Sequence, residues 1–302
     1  MPTPDTHDVA IVGGGAAGLS AALVLGRARR RIVVVDAGEP RNAPAAHMQG
    51  FLSRDGTAPA DLLRAGRAEL RRYGVEVIED RVVDATAGFA LRLAGGRTLA
   101  ARHVLLATGA TDVLPDVEGA RERWGRDFLH CPYCHGWEVR DQPLGVLATG
   151  PGSVEHAHLL RQWSDDVVLF THEQPVTDAE RTTLDRRGIG VVDGRVERLV
   201  VADDHLRAVQ LADGRTVERT AVFIRPALRA HAGGLGAALG CALREDGLLV
   251  ADAGGRTSVP GVWAAGNAGN PRAQVITAAG EGSAVAIAMN TALAADDIAD
   301  HH

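Results

Sequence analysis

Asp8-Val9-Ala10-Ile11-Val12-Gly13-Gly14-Gly15-Ala16-Ala17-Gly18 is the stretch on which the fold turns. The apolar run Val9 to Val12 predicts a buried strand, and the alanine- and leucine-rich Leu19 to Gly26 predicts a helix, with G-x-G-x-x-G between them. Each glycine has a task in that setting. Gly13 permits the tight turn, Gly15 lets the backbone approach a pyrophosphate, and Gly18 lets helix and strand touch. Ala16 and Ala17 open the helix, whose free N–H groups and positive dipole end favour phosphates. A second strand, Arg31 to Val35, ends in Asp36, 21 positions after Gly15 and placed to bind ribose hydroxyls.

Composition narrows the class. The chain has 302 residues, 46% hydrophobic and 23% charged, with a formal net charge of −6, which fits a globular protein of about two domains. Aromatic residues are only 4%, so the core must come mainly from Ala, Val, Leu and Ile. Lysine is absent and all 32 basic residues are arginine, which excludes Schiff-base chemistry and the G-x-x-x-x-G-K-[ST] phosphate loop. The acidic balance argues against a nucleic-acid partner, and the run Arg27, Arg29, Arg30, Arg31 reads as a solvated helix end. No leader pattern opens the sequence and no apolar stretch reaches the ~18 residues of a membrane span, so a cytoplasmic protein without a membrane partner is expected. Three cysteines make no disulfide framework, but Cys131 and Cys134 form C-P-Y-C, a spacing that points to redox or metal chemistry in a reducing compartment.

Two further segments resemble the first in leading a strand into a small-residue turn: His103-Val104-Leu105-Leu106-Ala107-Thr108-Gly109-Ala110 and Gly261-Val262-Trp263-Ala264-Ala265-Gly266-Asn267. Together with Gly13 to Gly18 they resemble the three FAD-contacting segments of flavoprotein disulfide reductases, in the form found in low-molecular-weight thioredoxin reductases. The resemblance runs over essentially the whole chain. It implies an α/β fold of two Rossmann-like dinucleotide-binding domains. An FAD domain, residues 1–113 and 246–302, is interrupted by an NAD(P)-type domain, 114–245, which carries the C-x-x-C. It also implies a homodimer. FAD would be held by Gly13, Gly15, Ala16 and Ala17, by Asp36, Ala37, Arg41 and Asn42 on the adenosine side, and by Val82. Ala107, Thr108, Gly109, Gly266 and Asn267 would line its middle, and Ala273, Gln274 and Val275 would bring a helix start to the flavin ring. Asn267 departs from the family, which usually has an Asp there; its side-chain carbonyl still offers an acceptor.

The inserted domain departs further. Its own strand and turn, Leu144 to Thr149 and then Gly150-Pro151-Gly152-Ser153-Val154-Glu155, put a carboxylate at the third small position. That adds bulk where helix and strand should touch, and negative charge near a pyrophosphate. After the next strand, Val167 to Phe170, the family places arginines for the 2′-phosphate of NADPH, whereas this chain reads Thr171-His172-Glu173-Gln174-Pro175. NADPH recognition is therefore expected to be lost. Glu173 could instead bind the 2′-hydroxyl of NADH, or the domain could serve as a scaffold for the cysteines.

His130-Cys131-Pro132-Tyr133-Cys134-His135 carries the chemistry. C-x-x-C allows a reversible disulfide, and imidazoles beside both cysteines favour thiolate. By resemblance Cys134 faces the flavin and Cys131 exchanges with substrate. His135 stands where thioredoxin reductases usually have Asp, and imidazole is the better proton acceptor near neutral pH. Zinc would need a second C-x-x-C, so no metal is expected. Cys241 reads as a core residue, and His47, His156, His158 and His172 as surface or packing residues.

A redox C-x-x-C followed by His, with a degraded NADPH site, resembles the thioredoxin-reductase-like dithiol oxidases of natural-product pathways, the gliotoxin and holomycin type. That resemblance implies closure of a small-molecule dithiol to an intramolecular disulfide, with FAD as cofactor and O2 reduced to H2O2. An NAD(P)H-dependent reductase of a small disulfide or a thioredoxin-like protein, and a non-catalytic FAD-binding redox sensor, are the alternatives.

Overall fold

The computed structural model describes residues 5–299. In chain order, β1 (Asp5–Val12), α1 (Ala16–Arg27) and β2 (Ile32–Asp36) form the opening βαβ unit, followed by α2 (Pro59–Arg71) and β3 (Glu76–Glu79). The strands β4 (Val82–Thr86), β5 (Ala90–Leu93) and β6 (Thr98–Leu106) come next, and then β7 (Ala110–Val113). The middle of the chain gives α3 (Ala120–Arg123), β8 (Phe128–Leu129), α4 (Pro132–His135), β9 (Leu144–Leu147), α5 (Ser153–Leu160), β10 (Val167–Phe170), α6 (Asp178–Arg186) and β11 (Ile189–Val192). It continues through β12 (Val196–Ala202), β13 (His205–Leu211), β14 (Thr216–Glu218), β15 (Ala221–Phe223) and β16 (Ala227–Ala230). The last elements are α7 (Ala232–Ala238), β17 (Val262–Ala264) and α8 (Val275–Ala299).

Two compact units result. The first takes the chain up to Ala43, Thr57–Thr111, and from Leu228 onward. Its sheet runs β3-β2-β1-β6-β5-β4, with β17 also on β6. β1 is parallel to both neighbours, Val9 lying beside Ile32 and His103. Strands enclosed on both sides read as continuous apolar runs, and Val9, Ala10, Ile11 and Val12 are all buried. Their alternation divides the core: Val9 and Ile11 pack with Leu19, Leu25, Met289 and Leu293 from α1 and α8, while Ala10 and Val12 pack with Val82, Leu91 and Leu249 on the other face. The basic run after α1 is not wholly solvated, because Arg30 bonds Asn290 and Asp297 near the end of α8.

The second unit comprises Pro44–Gly56 and Asp112–Ala227. Its sheet runs β11-β10-β9-β15-β8, and each of these pairings is parallel. Val168 and Phe170 of β10 face one apolar cluster, and Val167 and Leu169 the other. An antiparallel sheet, β12-β13-β14, joins the first cluster. Asp203 and Asp204, both at positive φ, make the two-residue turn between β12 and β13, as a tight hairpin needs.

The unit boundary falls at Leu228, not after Glu245, and residues 44–56 leave the first unit. The reason lies in packing: Leu235, Leu239 and Cys241 are buried with Val82 and Leu91 in the first unit's core. Pro44 lies so close to Gly125 that a Cβ there would sit 2.9 Å from its backbone.

Candidate active site

The first unit builds a dinucleotide cradle at the end of β1. Gly13 has φ +110°, and a Cβ on it would lie 2.3 Å from the Ala107 carbonyl oxygen, so only glycine fits. A Cβ on Gly18 would lie 1.9 Å from the Gly13 oxygen. Gly15, the N-cap of α1, is the opposite case: a Cβ there meets no atom within 4 Å. No side chain caps α1 and no acidic residue stands in its first turn, so its leading N–H groups face that open space with Ala16 and Ala17.

Asp36 closes β2 as expected, and its carboxylate accepts from Gly14 N at 3.0 Å and pairs with Arg67 of α2. A carboxylate has capacity for further donors, so ribose hydroxyls remain compatible with this arrangement. Sequence reading did not find Arg67, because the pairing joins residues 31 apart with no local motif. Ala37 is exposed, whereas Val82 is buried in the sheet core, paired with Leu93.

The remaining FAD-site candidates of the same unit converge by hydrogen bonding. The Asn267 side-chain oxygen accepts from Arg41 at 3.2 Å, and its Nδ2 donates to the carbonyls of Asn270 and Ala273. Asn267 thus braces the turn that leads through Gln274 to Val275, the first residue of α8. A glutamate that the sequence did not mark, Glu281, accepts from Gly266 N and from Asn270 Nδ2, holding the same turn from α8. Gly266 and Gly109 both have positive φ, and Asn42 is half-buried. The hydroxyl of Thr108 is buried without a hydrogen-bond partner. An open glycine cradle beside a helix N-terminus, with an orphaned hydroxyl on the adjoining turn, fits FAD.

The second unit holds the cysteines. Cys131 follows β8 and is the N-cap of α4, with Pro132 at the first helical position, where its missing N–H costs nothing. Cys134 and His135 donate their backbone N–H groups to the Cys131 carbonyl, and the two Sγ atoms are 2.6 Å apart. His130, Cys131, Cys134 and His135 are all half-buried, so the structure brings the four candidates together. Burial pushes the His135 imidazole below its ordinary pKa, and the charge of Glu138 opposes that shift. Glu138 also accepts from Gln49 at 3.1 Å, which ties residues 44–56 to the cysteine segment.

The turn after β9 lies beside this site, since β15 pairs with both β8 and β9. Gly152 is the N-cap of α5, equivalent to Gly15 in the first unit, but here a side chain lies over it. Arg225, two residues past β15, donates to the Gly152 carbonyl at 3.1 Å, and a Cβ on Gly152 would lie 1.7 Å from its guanidinium. Glu155, at the position matching Gly18, is exposed, so the bulk anticipated at the helix-to-strand contact is absent there. Ser153, His156, Ala157 and Leu160 are the buried residues of α5. His172, in a left-handed conformation after β10, accepts from Val196 N at 3.0 Å, and Glu173 is exposed.

His156 is the residue the sequence undervalued. It is 5% exposed and lies edge-on to Phe223, and neither ring nitrogen has a hydrogen-bond partner. Burial, with His130 and Arg225 adding to it, pushes its pKa down to about 3, so the ring is neutral at physiological pH. Cys241 is buried in the first unit's core, as its surroundings in sequence indicated. Among the described residues no cluster of three or more His, Cys, Asp or Glu could hold a metal, and no helix is long and apolar enough to cross a membrane.

Comparison with known proteins fits this geometry. The pyridine nucleotide-disulphide oxidoreductase family matches residues 7–282. The chain belongs to that family. It is similar to thioredoxin reductase sirT of Leptosphaeria maculans, at 32% identity over 95% of this chain and 94% of that protein. It is also similar to thioredoxin reductase tcpT of Claviceps purpurea (strain 20.1), at 33% identity over 98% and 97%. Among solved structures, that of HlmI superposes with a TM-score of 0.95 at 55% identity, covering 99% of this chain and 97% of that one. A putative thioredoxin reductase, TrxB from Bacillus anthracis, superposes with a TM-score of 0.91 at 32% identity, covering 96% and 99%. The chain is a thioredoxin-reductase-like flavoprotein of the α/β class with Rossmann-type dinucleotide-binding domains, an oxidoreductase whose cofactor is FAD.

Proposed function

We propose that this flavoprotein is a dithiol oxidase that closes a small-molecule dithiol to an intramolecular disulfide and passes the electrons to O2. The observation that carries the reading is Arg225 lying across the Gly150–Gly152 turn, beside an intact C-P-Y-C flanked by histidines. The Arg225 guanidinium, hydrogen-bonded to the Gly152 carbonyl, lies over the turn along which a pyrophosphate would run. His172, committed to Val196, stands where 2′-phosphate-binding arginines would. On this reading the cysteines take their electrons from substrate thiols and not from a nicotinamide.

In the proposed cycle the first substrate thiol loses its proton to His135 or His130, which returns it to solvent, and the thiolate attacks Cys131 Sγ of the Cys131–Cys134 disulfide, so that Cys134 leaves as thiolate. His135, held neutral by burial, takes the proton of the second substrate thiol. That thiolate attacks the substrate sulfur of the mixed disulfide, closing the product ring and releasing Cys131 as thiolate. Two electrons now reside on the cysteine pair, and Cys134 passes them on. FAD, held by the glycine cradle of the first unit, would when bound supply the two-electron acceptor for the cysteine pair and the route to O2. The sum is dithiol plus O2 giving cyclic disulfide plus H2O2.

Anaerobic titration of the flavin tests this. Dithiothreitol should bleach it, whereas NADH and NADPH at the same concentration should not. Bleaching by either nicotinamide faster than by the dithiol overturns the reading in favour of a reductase, with Glu173 as the candidate ribose ligand. Cys134→Ser should abolish dithiol-driven O2 consumption, and turnover at the original rate would sink the mechanism.

A further inference from the structure

His231 directly follows β16 and is the N-cap of α7, yet its side chain makes no capping hydrogen bond. Polar side chains at such positions ordinarily bond the free N–H groups of the helix they precede. This ring is turned to another segment. Its Nδ1 donates to the Thr108 carbonyl oxygen at 3.0 Å, and its Nε2 is hydrogen-bonded to the Thr111 hydroxyl. The His231 backbone N–H donates to the Gly109 carbonyl at 3.3 Å. A carbonyl can only accept, so the ring carries a proton on Nδ1, and in the neutral ring the Nε2 lone pair accepts from Thr111. One exposed residue therefore ties down the stretch from Thr108 to Thr111.

That stretch adjoins the glycine cradle. The Ala107–Thr108 peptide faces Gly13, where a Cβ would lie 2.3 Å from the Ala107 oxygen and 3.1 Å from Thr108 N. The next peptide, Thr108–Gly109, faces His231 with its carbonyl. No peptide among the described residues is cis, and in a trans peptide the C=O and the following N–H point in opposite directions. With the Thr108 carbonyl drawn to His231, the Gly109 N–H is directed away from the ring. Gly109 has φ +68°, and glycine suits other conformations equally well, so this peptide needs a hold from outside to keep one orientation. The Thr108 hydroxyl is buried with no hydrogen-bond partner.

We infer that His231 is a positioning residue for FAD: it fixes the Thr108–Gly109 peptide and so keeps the Thr108 hydroxyl and the Gly109 N–H set for the cofactor beside Gly13. The inference rests on FAD lying in that cradle and is independent of whether thiols or a nicotinamide reduce it. Water can replace the bonds of an exposed ring, so His231 adds little to the stability of the fold itself. Its effect is to order the turn before FAD arrives, which removes that cost from binding.

Release of FAD from the holoprotein, read as recovery of free-flavin fluorescence on dilution, tests this, because affinity changes at one site appear mainly in the off-rate. His231→Ala should release FAD about tenfold faster. His231→Asn should release it at close to the original rate, because Asn Nδ2 is attached to Cγ as Nδ1 is and can still donate to the Thr108 carbonyl. An unchanged rate in His231→Ala overturns the inference. Equally fast release from the Ala and Asn variants also overturns it, since the effect would then come from lost bulk and not from the Nδ1 bond. Thr108→Val separates His231 from the placement of the cofactor. Faster release from Thr108→Val with no effect of His231→Ala keeps FAD at this turn and removes the role of His231. No effect in either variant removes FAD from the turn as well.

Discussion

At the scale of single residues, the proposed cycle depends on His135 acting as the base. His135 has its pKa lowered first by burial, and Glu138 acts against that. A free imidazole titrates near ~6.5, so a base with a lowered value keeps its lone pair to more acidic pH. The acid limb of kcat/KM should therefore lie below that of free imidazole. Glu138→Gln removes the carboxylate charge that favours the imidazolium, so His135 should titrate lower still and the limb should move to more acidic pH. Gln at 138 still offers an oxygen to Gln49, so the loop contact survives. A limb that stays in place or moves to higher pH in that variant would exclude His135 as the titrating base.

At the scale of elements, α1 and α8 approach so closely that glycine decides the contact. A Cβ on Gly282 of α8 would lie 2.0 Å from the Ala17 carbonyl oxygen of α1, a backbone atom that cannot step aside. Gly280, one half-turn earlier, is exposed and a Cβ on it meets nothing within 4 Å. The same substitution should thus have opposite signs. Gly280→Ala should stabilise by about 0.5–1 kcal/mol through helix propensity, and Gly282→Ala should destabilise by several times that and, if FAD sits at the start of α1 as proposed, lower flavin content. Urea denaturation of the two variants settles it, and a stabilising Gly282→Ala would refute the packing argument. The pair also shows what sequence could convey. Gly13, Gly15 and Gly18 were legible because strand, turn and helix are contiguous and each glycine's task is local. Gly282 was not, since its need arises from an oxygen 265 positions away in the chain. Arg225 and Arg67 were hidden for the same reason, while the C-x-x-C and its histidines, packed into six residues, were readable at once.

At the scale of the whole molecule, each unit keeps its own apolar core. The clusters around β1 draw on the first unit, from Val9 to Leu293, and those around β10 on the second, from Leu114 to Ile224. None of these four clusters mixes residues of both, which is the condition for two units to unfold as separate cooperative transitions. All the FAD-site candidates lie in the first unit, in segments that chain order scatters from Gly13 to Val275 and that only the folded sheet assembles. A ligand that binds one folded unit stabilises that unit alone, by about 2.7 kcal/mol at a hundred times its Kd. That corresponds to a rise in Tm of about 5–10 °C for a unit of this size. Calorimetry of flavin-free protein with and without added FAD should accordingly show two transitions, one that rises by this amount and one that stays in place. Cys131→Ser should leave the FAD-sensitive transition unmoved, because Cys131 belongs to the other unit. A single transition that shifts as a whole would mean that the two cores melt together and that FAD stabilises the molecule as one body.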